Sequence, residues 1–429
     1  MTRWPDPVLR IALACYGVLM RLLRPAVWAY LRKRGRKDPD YISNLDERLG
    51  HLDCTLTNPV WVHAVSTGEL RSAVPLIQAL LAKGDHVVTT HFTPAGRREA
   101  ERVFAKDIDE GRVVVTWVPY ETKAAYRRFL AQVQPRYGLV MEIEVWPMMI
   151  WACHTAGLPL YMCNAQYPAK SYDKDQGGLG LRRRLFGGFA GGFVKSQMQA
   201  DRLRDVGLSD IAITGELRFD QPIPPQQLQA ADVARPIIAP NGRQVVTLAS
   251  VVEGEDQTYI AAIKAVRGPL YVYVPRAPER FDETVEMLIS AGLTVVRRSD
   301  VLDADLQVTG ALDGIDVLVG DSMGEMYFYL GLCDRAIVGG GFVPKGAHNI
   351  IEPLALKKPV MVGPHIWTIT YPAHEAIEAG VCTLCDTQQA LIEELQSPAQ
   401  ITDAQISSFF EAHAGGTKKT MDAIAARGL

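Results

Sequence analysis

Acidic side chains follow two of the predicted strands in the first half of the chain. Glu69 ends the segment HAVSTGE at a predicted strand-to-helix turn, and Glu142 and Glu144 lie in MEIEVWP. A carboxylate at a helix start is stabilised by free amides and the helix dipole, so Glu69 fits a capping acid. The same position fits a general base, and both interpretations are open. Glu142 and Glu144 are two residues apart, so they would share a strand face and, as costly like charges, predict a ligand site.

A glycine-rich loop in the second half is a candidate ligand site. The segment GGGFVPKGAHNIIE, residues 339–352, lies between the strand-like run RAIVGG and the apolar run IIEPLAL. Bare backbone lets a ligand approach closely, often a phosphate at a helix start. A tight turn alone is also compatible with the glycines. His348 and Glu352 have metal-ligand spacing, but without a third ligand a metal site is not favoured.

Short apolar runs alternate with amphipathic segments from Pro59 onward. This alternation predicts parallel sheets with helices on both faces. The predicted strands are VWVHAV, HVVTTHF, VVVTWVP, YGLVMEIE, LPLYMCNA and GGFVKS in the first half, and QVVTLAS, PLYVYVP, LTVVRR, IDVLVGD, RAIVGG and PVMVG in the second. The segment between the halves is rich in proline and glutamine, which predicts a linker over residues 222–236.

The expected architecture is therefore α/β, with two doubly wound domains over residues 38–221 and 237–429. A cleft between their strand ends is the expected ligand site. The segment GxGxxG is absent after the first strand, which disfavours a dinucleotide-dependent oxidoreductase.

Composition excludes several classes of protein. The 429 residues are too many for one ordinary core, and 48% apolar with 22% charged residues is typical of a globular chain. A net charge of −3 gives no reason to expect a nucleic-acid partner. Cys382 and Cys385 form a CxxC without a second pair, so two buried thiols are expected rather than a zinc site.

Residues 1–37 form a separate basic segment in this interpretation. The apolar stretch from Ile11 to Met20 is shorter than the roughly 20 residues that a spanning helix needs. On one continuous helix, several arginines fall within about 80° of each other: Arg3, Arg10, Arg21, Arg24 and Arg32. This pattern predicts a helix lying on an anionic membrane surface, bent or interrupted at Pro25. A signal peptide and a soluble basic helix are the alternatives.

Several motifs, in order over nearly the whole chain, resemble those of the Kdo (3-deoxy-D-manno-octulosonic acid) transferases. They are GRKDPDYISNLDERLG, HAVSTGE, MEIEVWP, GELRFD, VPRAPERF, VGDSMGE, GGGFVPKGAHNIIEP and VGPH. The resemblance implies a GT-B fold, with an acceptor-binding domain over 38–221 and a CMP-Kdo-binding domain over 237–429. It also implies inverting transfer of Kdo from CMP-Kdo to the lipid A precursor, without metal or other cofactor. The expected location is the cytoplasmic face of the inner membrane, where lipopolysaccharide is made.

The resemblance also implies roles for individual residues. Glu69 matches the general base of the family, Glu142 an acid that helps to stabilise the transition state, and Arg218 the position of a lysine with the same role. The positions that match CMP-binding residues are Pro275, Arg276, Met323, Gly324, Glu325, Asn349, Ile350, Ile351 and Glu352. In this interpretation the glycine loop lets the CMP phosphate approach the following helix, and Glu352 reaches the ribose.

Several motif positions depart from the family pattern. The usual NARLS is NAQYP at residues 164–168, and Val252 and Ala277 replace histidines. Gly341 replaces a serine, and Met148 replaces the asparagine that usually follows the tryptophan-proline pair. A transferase for another nucleotide sugar or acceptor is therefore an alternative, as is a non-catalytic paralogue that binds lipid or sugar. The retained Glu69 favours an enzyme, because a binding module needs no base.

Overall fold

The computed structural model describes residues 4–175, 177, 180–310, 312 and 314–429. The chain divides into a first unit, Met1–Gln221 with Ala414–Leu429, and a second unit, Pro222–His413. The first division therefore falls where the first predicted domain ends. Contrary to the prediction, residues 1–37 are not a separate segment and residues 414–429 are not part of the second unit, because both stretches belong to the first unit.

The first unit is built on a parallel sheet. Within its described residues the sheet has seven strands in the order β3-β2-β1-β4-β5-β6-β7. The strands are β1 (Val60–His63), β2 (Val87–His91), β3 (Val113–Trp117), β4 (Tyr137–Met141), β5 (Leu160–Ala165), β6 (Gly191–Val194) and β7 (Ile211–Ile213). The central strands are buried along their whole length, as expected when helices cover both faces. The strand order reverses between β1 and β4, which is where doubly wound folds bind ligands.

Helices cover both faces of this sheet. They are α1 (Pro7–Leu22), α2 (Arg24–Gly35), α3 (Leu45–Arg48), α4 (Thr67–Ala82), α5 (Pro94–Val103), α6 (Ala105–Asp109), α7 (Lys123–Val133), α8 (Pro147–Ala156), α9 (Ala169–Asp175), α10 (Leu181–Phe186) and α11 (Gln197–Asp205). Short 3₁₀ turns span Pro39–Ile42 and Leu217–Asp220. The predicted helix after HAVST is confirmed as α4, and the chain leaves it at Gly84 with a left-handed φ of 93°.

The second unit repeats this construction. Its described residues form a seven-stranded parallel sheet in the order β10-β11-β9-β8-β12-β13-β14. The strands are β8 (Val245–Val251), β9 (Leu270–Pro275), β10 (Val295–Arg297), β11 (Val317–Val319), β12 (Arg335–Val338), β13 (Val360–Val362) and β14 (Cys382–Leu384). Here the order reverses between β8 and β12, so the glycine-rich loop after β12 lies at the reversal. Cys382 and Cys385 are buried free thiols, as predicted.

The segment predicted as a linker is a helix, so that prediction is wrong. The second unit contains α12 (Pro225–Ile238), α13 (Asp256–Ala265), α14 (Phe281–Ser290), α15 (Arg298–Val301), α16 (Met326–Leu332), α17 (Ile351–Ala355), α18 (Thr370–Glu378), α19 (Gln388–Gln396) and α20 (Asp403–His413), with 3₁₀ turns at Pro240–Gly242 and Pro278–Arg280. Pro225 is tolerated at the start of α12 because a first-turn N–H has no helical partner. The alanines on one side of α12 then bury it in the core of the second unit: Ala230, Ala231 and Ala234.

The N-terminal segment belongs to the first unit rather than standing apart. Leu9 and Leu13 of α1 are buried in the core beside α8 and α10. The helix breaks at Leu23, ahead of Pro25, and α2 is bent from α1 by 55°, so the predicted interruption is confirmed. The predicted single face of arginines is wrong, because helical register does not continue across a bend; Arg3 lies outside the described residues. Apolar side chains on the other side of these helices are exposed: Val8, Ile11, Val18, Leu19, Leu22, Leu23 and Tyr30.

Hydropathy along the described helices bears on membrane insertion. Taken singly, none of them has the length and apolar composition required to span a membrane. The bent pair α1 and α2 meets those two criteria when the helices are taken together.

The last helix, α21 (Gly416–Ala425), returns to the first unit. Asp220 accepts hydrogen bonds from the backbone amides of Gly415 at 2.7 Å and Thr417 at 2.6 Å. Ile424 is buried in the core beside α4. The predicted assignment of 414–429 to the second domain failed because an amphipathic helix carries no signal of which sheet it covers.

Removing the Asp220 carboxylate should destabilise the first unit. Asp220→Ala removes the acceptor of two amides, that of Gly415 just before α21 and that of Thr417 in its first turn, so we expect a loss of about 0.5–2 kcal/mol in the free energy of unfolding. The measurement is urea denaturation of the full chain. Asp422→Ala on the same helix is the control, because its exposed ion pair with Lys418 contributes at most about 0.5 kcal/mol. Equal effects of the two substitutions would contradict the capping role of Asp220.

Candidate active site

Glu69 lies in the first turn of α4, at the carboxyl end of β1. Its Oε2 accepts a hydrogen bond from the backbone amide of Val65 at 2.6 Å. Burial, followed by the nearby charge of Glu144, raises the pKa of Glu69 to about 8, although the Val65 amide opposes this shift. A carboxylate that only capped the helix would have its pKa lowered by the amides and the dipole. Glu69 therefore combines the contacts of a capping acid with the pKa of a group that exchanges protons near neutral pH.

Glu142 and Glu144 follow β4 but do not share a strand face, so that prediction is wrong. The strand ends at Met141, and Glu142 has a left-handed φ of 59°, which breaks the alternation of side chains in an extended strand. Glu144 accepts a hydrogen bond from Trp146 Nε1 at 2.6 Å. Burial raises the pKa of Glu144, and both carboxylates raise that of Glu69. The structure therefore brings the three acids together where β1 and β4 are neighbours.

Two cations bind the carboxylate of Glu142. Arg218 Nη2 lies 3.0 Å and Lys195 Nζ 3.3 Å from the same oxygen, Oε1. The other oxygen accepts a hydrogen bond from the side-chain amide of Gln166. Glu142 and Arg218, both predicted site residues, are thus in direct contact.

The same lysine joins a second carboxylate to this group. Lys195 Nζ is 2.7 Å from Glu216 Oε2, and both side chains are 1% exposed. Asn164 donates to Glu216 Oε1 at 2.7 Å. Although burial acts to raise the pKa of Glu216, the charges of Lys195 and Arg218 outweigh it and lower that pKa to about 2. We call Glu142, Lys195, Glu216 and Arg218 the buried charge network.

Lys195 was not among the site residues predicted from the sequence. It follows β6 directly, so the one available signal was a lysine closing an otherwise apolar run, GGFVKS. Lysine is rarely buried without a partner, and this signal pointed to a carboxylate without identifying it.

In the second unit, a buried glutamate fixes the glycine-rich loop. Glu255 is fully buried, and its carboxylate accepts hydrogen bonds from the backbone amides of Gly340 at 2.7 Å and Phe342 at 3.0 Å. Tyr259 Oη donates to it at 3.2 Å. Glu255 was also missed from sequence, although the acidic segment VVEGE after a predicted strand was a signal.

The glycines of this loop are in contact with other backbone. A Cβ on Gly339 would lie 2.4 Å from the carbonyl oxygen of Ser250, and one on Gly340 2.3 Å from that of Gly346. A Cβ on Gly341 would lie 2.7 Å from the amide nitrogen of Gly363. Close packing of three chain segments therefore accounts for these glycines without a ligand.

The helix after the loop, α17, has only five residues. The amide of Ile351 at its start already donates to Asn349 Oδ1 at 3.0 Å. Ile350 and Ile351 are buried, so their side chains point into the core and only their main chain is available to a ligand. Glu352 is partly buried in the first turn.

Arg276 is exposed just beyond β9, at the edge of the sheet where the glycine loop lies. Its neighbour in sequence, Pro275, is buried. Burial and the charge of Arg276 lower the pKa of His348 to about 4, so the imidazole is neutral at physiological pH. His348 Nε2 is buried and makes no hydrogen bond to any described residue. No three of the described His, Cys, Asp and Glu side chains are grouped to hold a metal ion.

The segment Met323–Glu325 follows β11 at the same edge. Met323 is 61% exposed, and Gly324 has a left-handed φ of 86°. The carboxylate of Glu325 forms a bidentate pair with Arg298, with both distances 2.8 Å. Ser322 also donates to it. Of these predicted positions, Glu325 therefore has its carboxylate bound within the protein.

The chain is similar in sequence to known transferases. The family model described as 3-deoxy-D-manno-octulosonic-acid transferase (kdotransferase) matches residues 43–221, which make up most of the first unit. The chain is 39% identical to the 3-deoxy-D-manno-octulosonic acid transferase of Bordetella pertussis over 95% of this chain and 98% of that protein.

Solved structures support the fold. HepE from Anabaena, solved in complex with UDP, superposes with a TM-score of 0.57 and 13% identity over 87% of this chain and all of that one. The UDP-GlcNAc 2-epimerase of Neisseria meningitidis superposes with a TM-score of 0.53 and 13% identity over 86% of this chain and all of that one. Two Rossmann-like units with parallel sheets confirm the predicted GT-B fold. With its match to the Bordetella enzyme over almost the full length of both proteins, the chain belongs to the 3-deoxy-D-manno-octulosonic acid transferase family of glycosyltransferases.

Proposed function

We propose that this transferase moves Kdo from CMP-Kdo to a hydroxyl group of the lipid A precursor, with inversion at the anomeric carbon and without a metal or other cofactor. The observation that carries the proposal is the environment of Glu69, which is held against the Val65 amide and has a pKa near 8. A general base works best when its pKa is close to the working pH. Its position beside β4, where the strand order reverses, is typical of ligand sites in this architecture.

In the proposed step, Glu69 removes the proton of the acceptor hydroxyl as that oxygen attacks the anomeric carbon of Kdo. The bond from that carbon to the phosphate oxygen breaks, and CMP leaves with the electron pair. Glu142 and Arg218, held in contact at 3.0 Å, stabilise the charges that develop. Fixed charges suit this role because they need little reorganisation during the reaction.

We assign the binding of the donor substrate, CMP-Kdo, to the second unit. Arg276 presents an exposed guanidinium, whose planar geometry suits the phosphate of CMP. The neighbouring neutral imidazole of His348 adds no competing charge. Main-chain groups of residues 323–325 and 349–352 lie at the same sheet edge and complete the proposed nucleotide site.

The lipid acceptor explains the proposed location at the cytoplasmic face of the inner membrane. The exposed apolar side chains of α1 and the basic residues at the end of α2 are the two components that interfacial helices combine. In this proposal α1 and α2 lie in the anionic membrane surface and do not cross it.

Replacing Glu69 with glutamine should abolish most of the activity. Glu69→Gln keeps size and the Val65 contact but removes basicity, so turnover should fall by at least about 100-fold. The wild-type rate should rise with pH through about 8, because only ionised Glu69 is a base, and the variant should lack this rise. Kdo transfer to a tetra-acylated lipid A precursor, measured from pH 6 to 9.5, tests both. Exposed Glu110→Gln is the matched control. Near-wild-type turnover of Glu69→Gln would favour the capping role alone.

Arg276→Ala should weaken CMP binding by about 10- to 100-fold, since a hydrogen bond to a charged group contributes about 1.5–3 kcal/mol. Arg276→Lys should also weaken it, because an ammonium lacks the planar fork. Calorimetry on the full chain measures both, with and without a chelator, which should have no effect. Arg267→Ala, just before the opposite end of β9, is the control. Tight binding of UDP with no CMP signal would instead support a transferase for another nucleotide sugar.

High salt or alkaline washing should release much of the protein from membranes, because each basic residue contributes about 1 kcal/mol at an anionic surface. A Leu19→Asp/Leu22→Asp variant should bind anionic vesicles more weakly in sedimentation assays. Ile289→Asp, at an apolar site in the second unit whose exposure lies between those of Leu19 and Leu22, should bind as the wild type does. Full retention after both washes, with the N-terminus accessible from the periplasm, would show instead that the segment spans the membrane.

A further inference from the structure

Lys195 is the least exposed cation of the buried charge network. Its side chain is 1% exposed at the end of β6 and contacts two carboxylates, Glu216 at 2.7 Å and Glu142 at 3.3 Å. Withdrawing an ammonium from water is costly, and a close carboxylate offsets that cost only with good geometry. The nearer partner, Glu216, already places one full negative charge against the ammonium. The second contact therefore points beyond simple compensation of a buried charge.

That second contact reaches a proposed catalytic group. Glu142 Oε1 forms ion pairs with Lys195 and Arg218, and Oε2 accepts a hydrogen bond from the side-chain amide of Gln166. Gln166 donates through a neutral amide, so it has no charge to offer the carboxylate. Lys195 follows β6, the strand next to the β5 strand that precedes Gln166, and it places a positive charge against the Glu142 carboxylate.

Glu216 contacts the other members of the buried charge network that surround Glu142. In addition to its ion pair with Lys195, it accepts hydrogen bonds from the side-chain amide of Asn164 at 2.7 Å and from the backbone amide of Arg218 at 3.3 Å. Glu216 thus bonds both to the lysine and to the turn that carries Arg218. Both cations on Glu142 are positioned through this one carboxylate.

We propose that Lys195, anchored by Glu216, is a positioning residue that fixes the carboxylate of Glu142 for Kdo transfer and supplies the charge that Gln166 does not carry. This inference rests on the proposed function, because it gives Glu142 a role in the transfer. Lys195 itself is buried and acts through Glu142 without touching the substrate.

The main test replaces the buried pair by neutral side chains of similar shape, Lys195→Met with Glu216→Gln. Removing both charges together leaves no uncompensated buried ion, so the variant should unfold near the wild-type denaturant midpoint. Its kcat should fall about tenfold while KM for donor and acceptor stays within about twofold, because ground-state binding is not affected. Wild-type kcat in a folded variant would overturn the proposal and leave a purely structural ion pair.

Adding Gln166→Arg to that double variant is the rescue. A guanidinium at residue 166 lies beside the same carboxylate, so kcat should recover by at least about threefold, which a structural role of Lys195 does not predict. No recovery would count against the proposed charge role. The exposed pair Lys418 and Asp422 is the matched control, and Lys418→Met/Asp422→Asn should leave kcat unchanged.

A single substitution provides the test if the double variant does not fold. In that case Glu216→Gln is used, since it leaves Lys195 with one carboxylate. A lower kcat at unchanged KM supports the proposal, and wild-type kcat overturns it.

Independently of any substrate, urea unfolding of Lys195→Met, Glu142→Gln and their combination measures the coupling of the two residues. If the wild type transfers no Kdo, the proposed function fails. Additive unfolding effects would separately overturn the Lys195–Glu142 coupling.

Discussion

A carboxylate withdrawn from water is stable in a protein only where donors replace its lost hydration, and this constraint fixes both candidate sites. In the second unit, Glu255 obtains its donors from the amides of the glycine loop. In the first unit, Glu216 obtains them from Lys195, Asn164 and the backbone of Arg218. Each carboxylate lies at the carboxyl end of a parallel sheet, so meeting its requirement also positions the loops that follow the strands.

The sheets were predictable from sequence because strands covered on both faces leave continuous apolar runs. Every predicted strand is present, with ends shifted by a few residues. The helix at Pro225–Ile238 and the return of α21 were not predictable in the same way. A proline-rich start is compatible with a linker and with a helix, and only the packing of Ala231 and its neighbours selects the helix. Which sheet a terminal helix covers depends on contacts that local patterns do not encode.

Glu69, Glu142 and Arg218 lie in ordered motifs, so the sequence alone singled them out as candidate site residues. A residue was missed where a contact joins separate strands. Lys195 and Glu142 are 53 residues apart, and their spacing gives no sign that β5 alone lies between the strands they follow. The glycine loop shows the same limit. The sequence shows only that these positions have no side chain. In the structure, the backbone of Ser250, Gly346 and Gly363 occupies the space that a side chain would need.

The path of the chain has a consequence for biosynthesis. The chain leaves the first unit at Gln221, builds the whole second unit, and returns at Ala414 to add α21. A ribosome working from the N-terminus therefore finishes the sequence of the second unit before that of the first. Until residues 414–429 emerge, Asp220 has no amides to bind and the core beside α4 is open. The nascent first unit thus stays incomplete during synthesis of the entire second unit, and a chain that stops early lacks the last helix of the first unit.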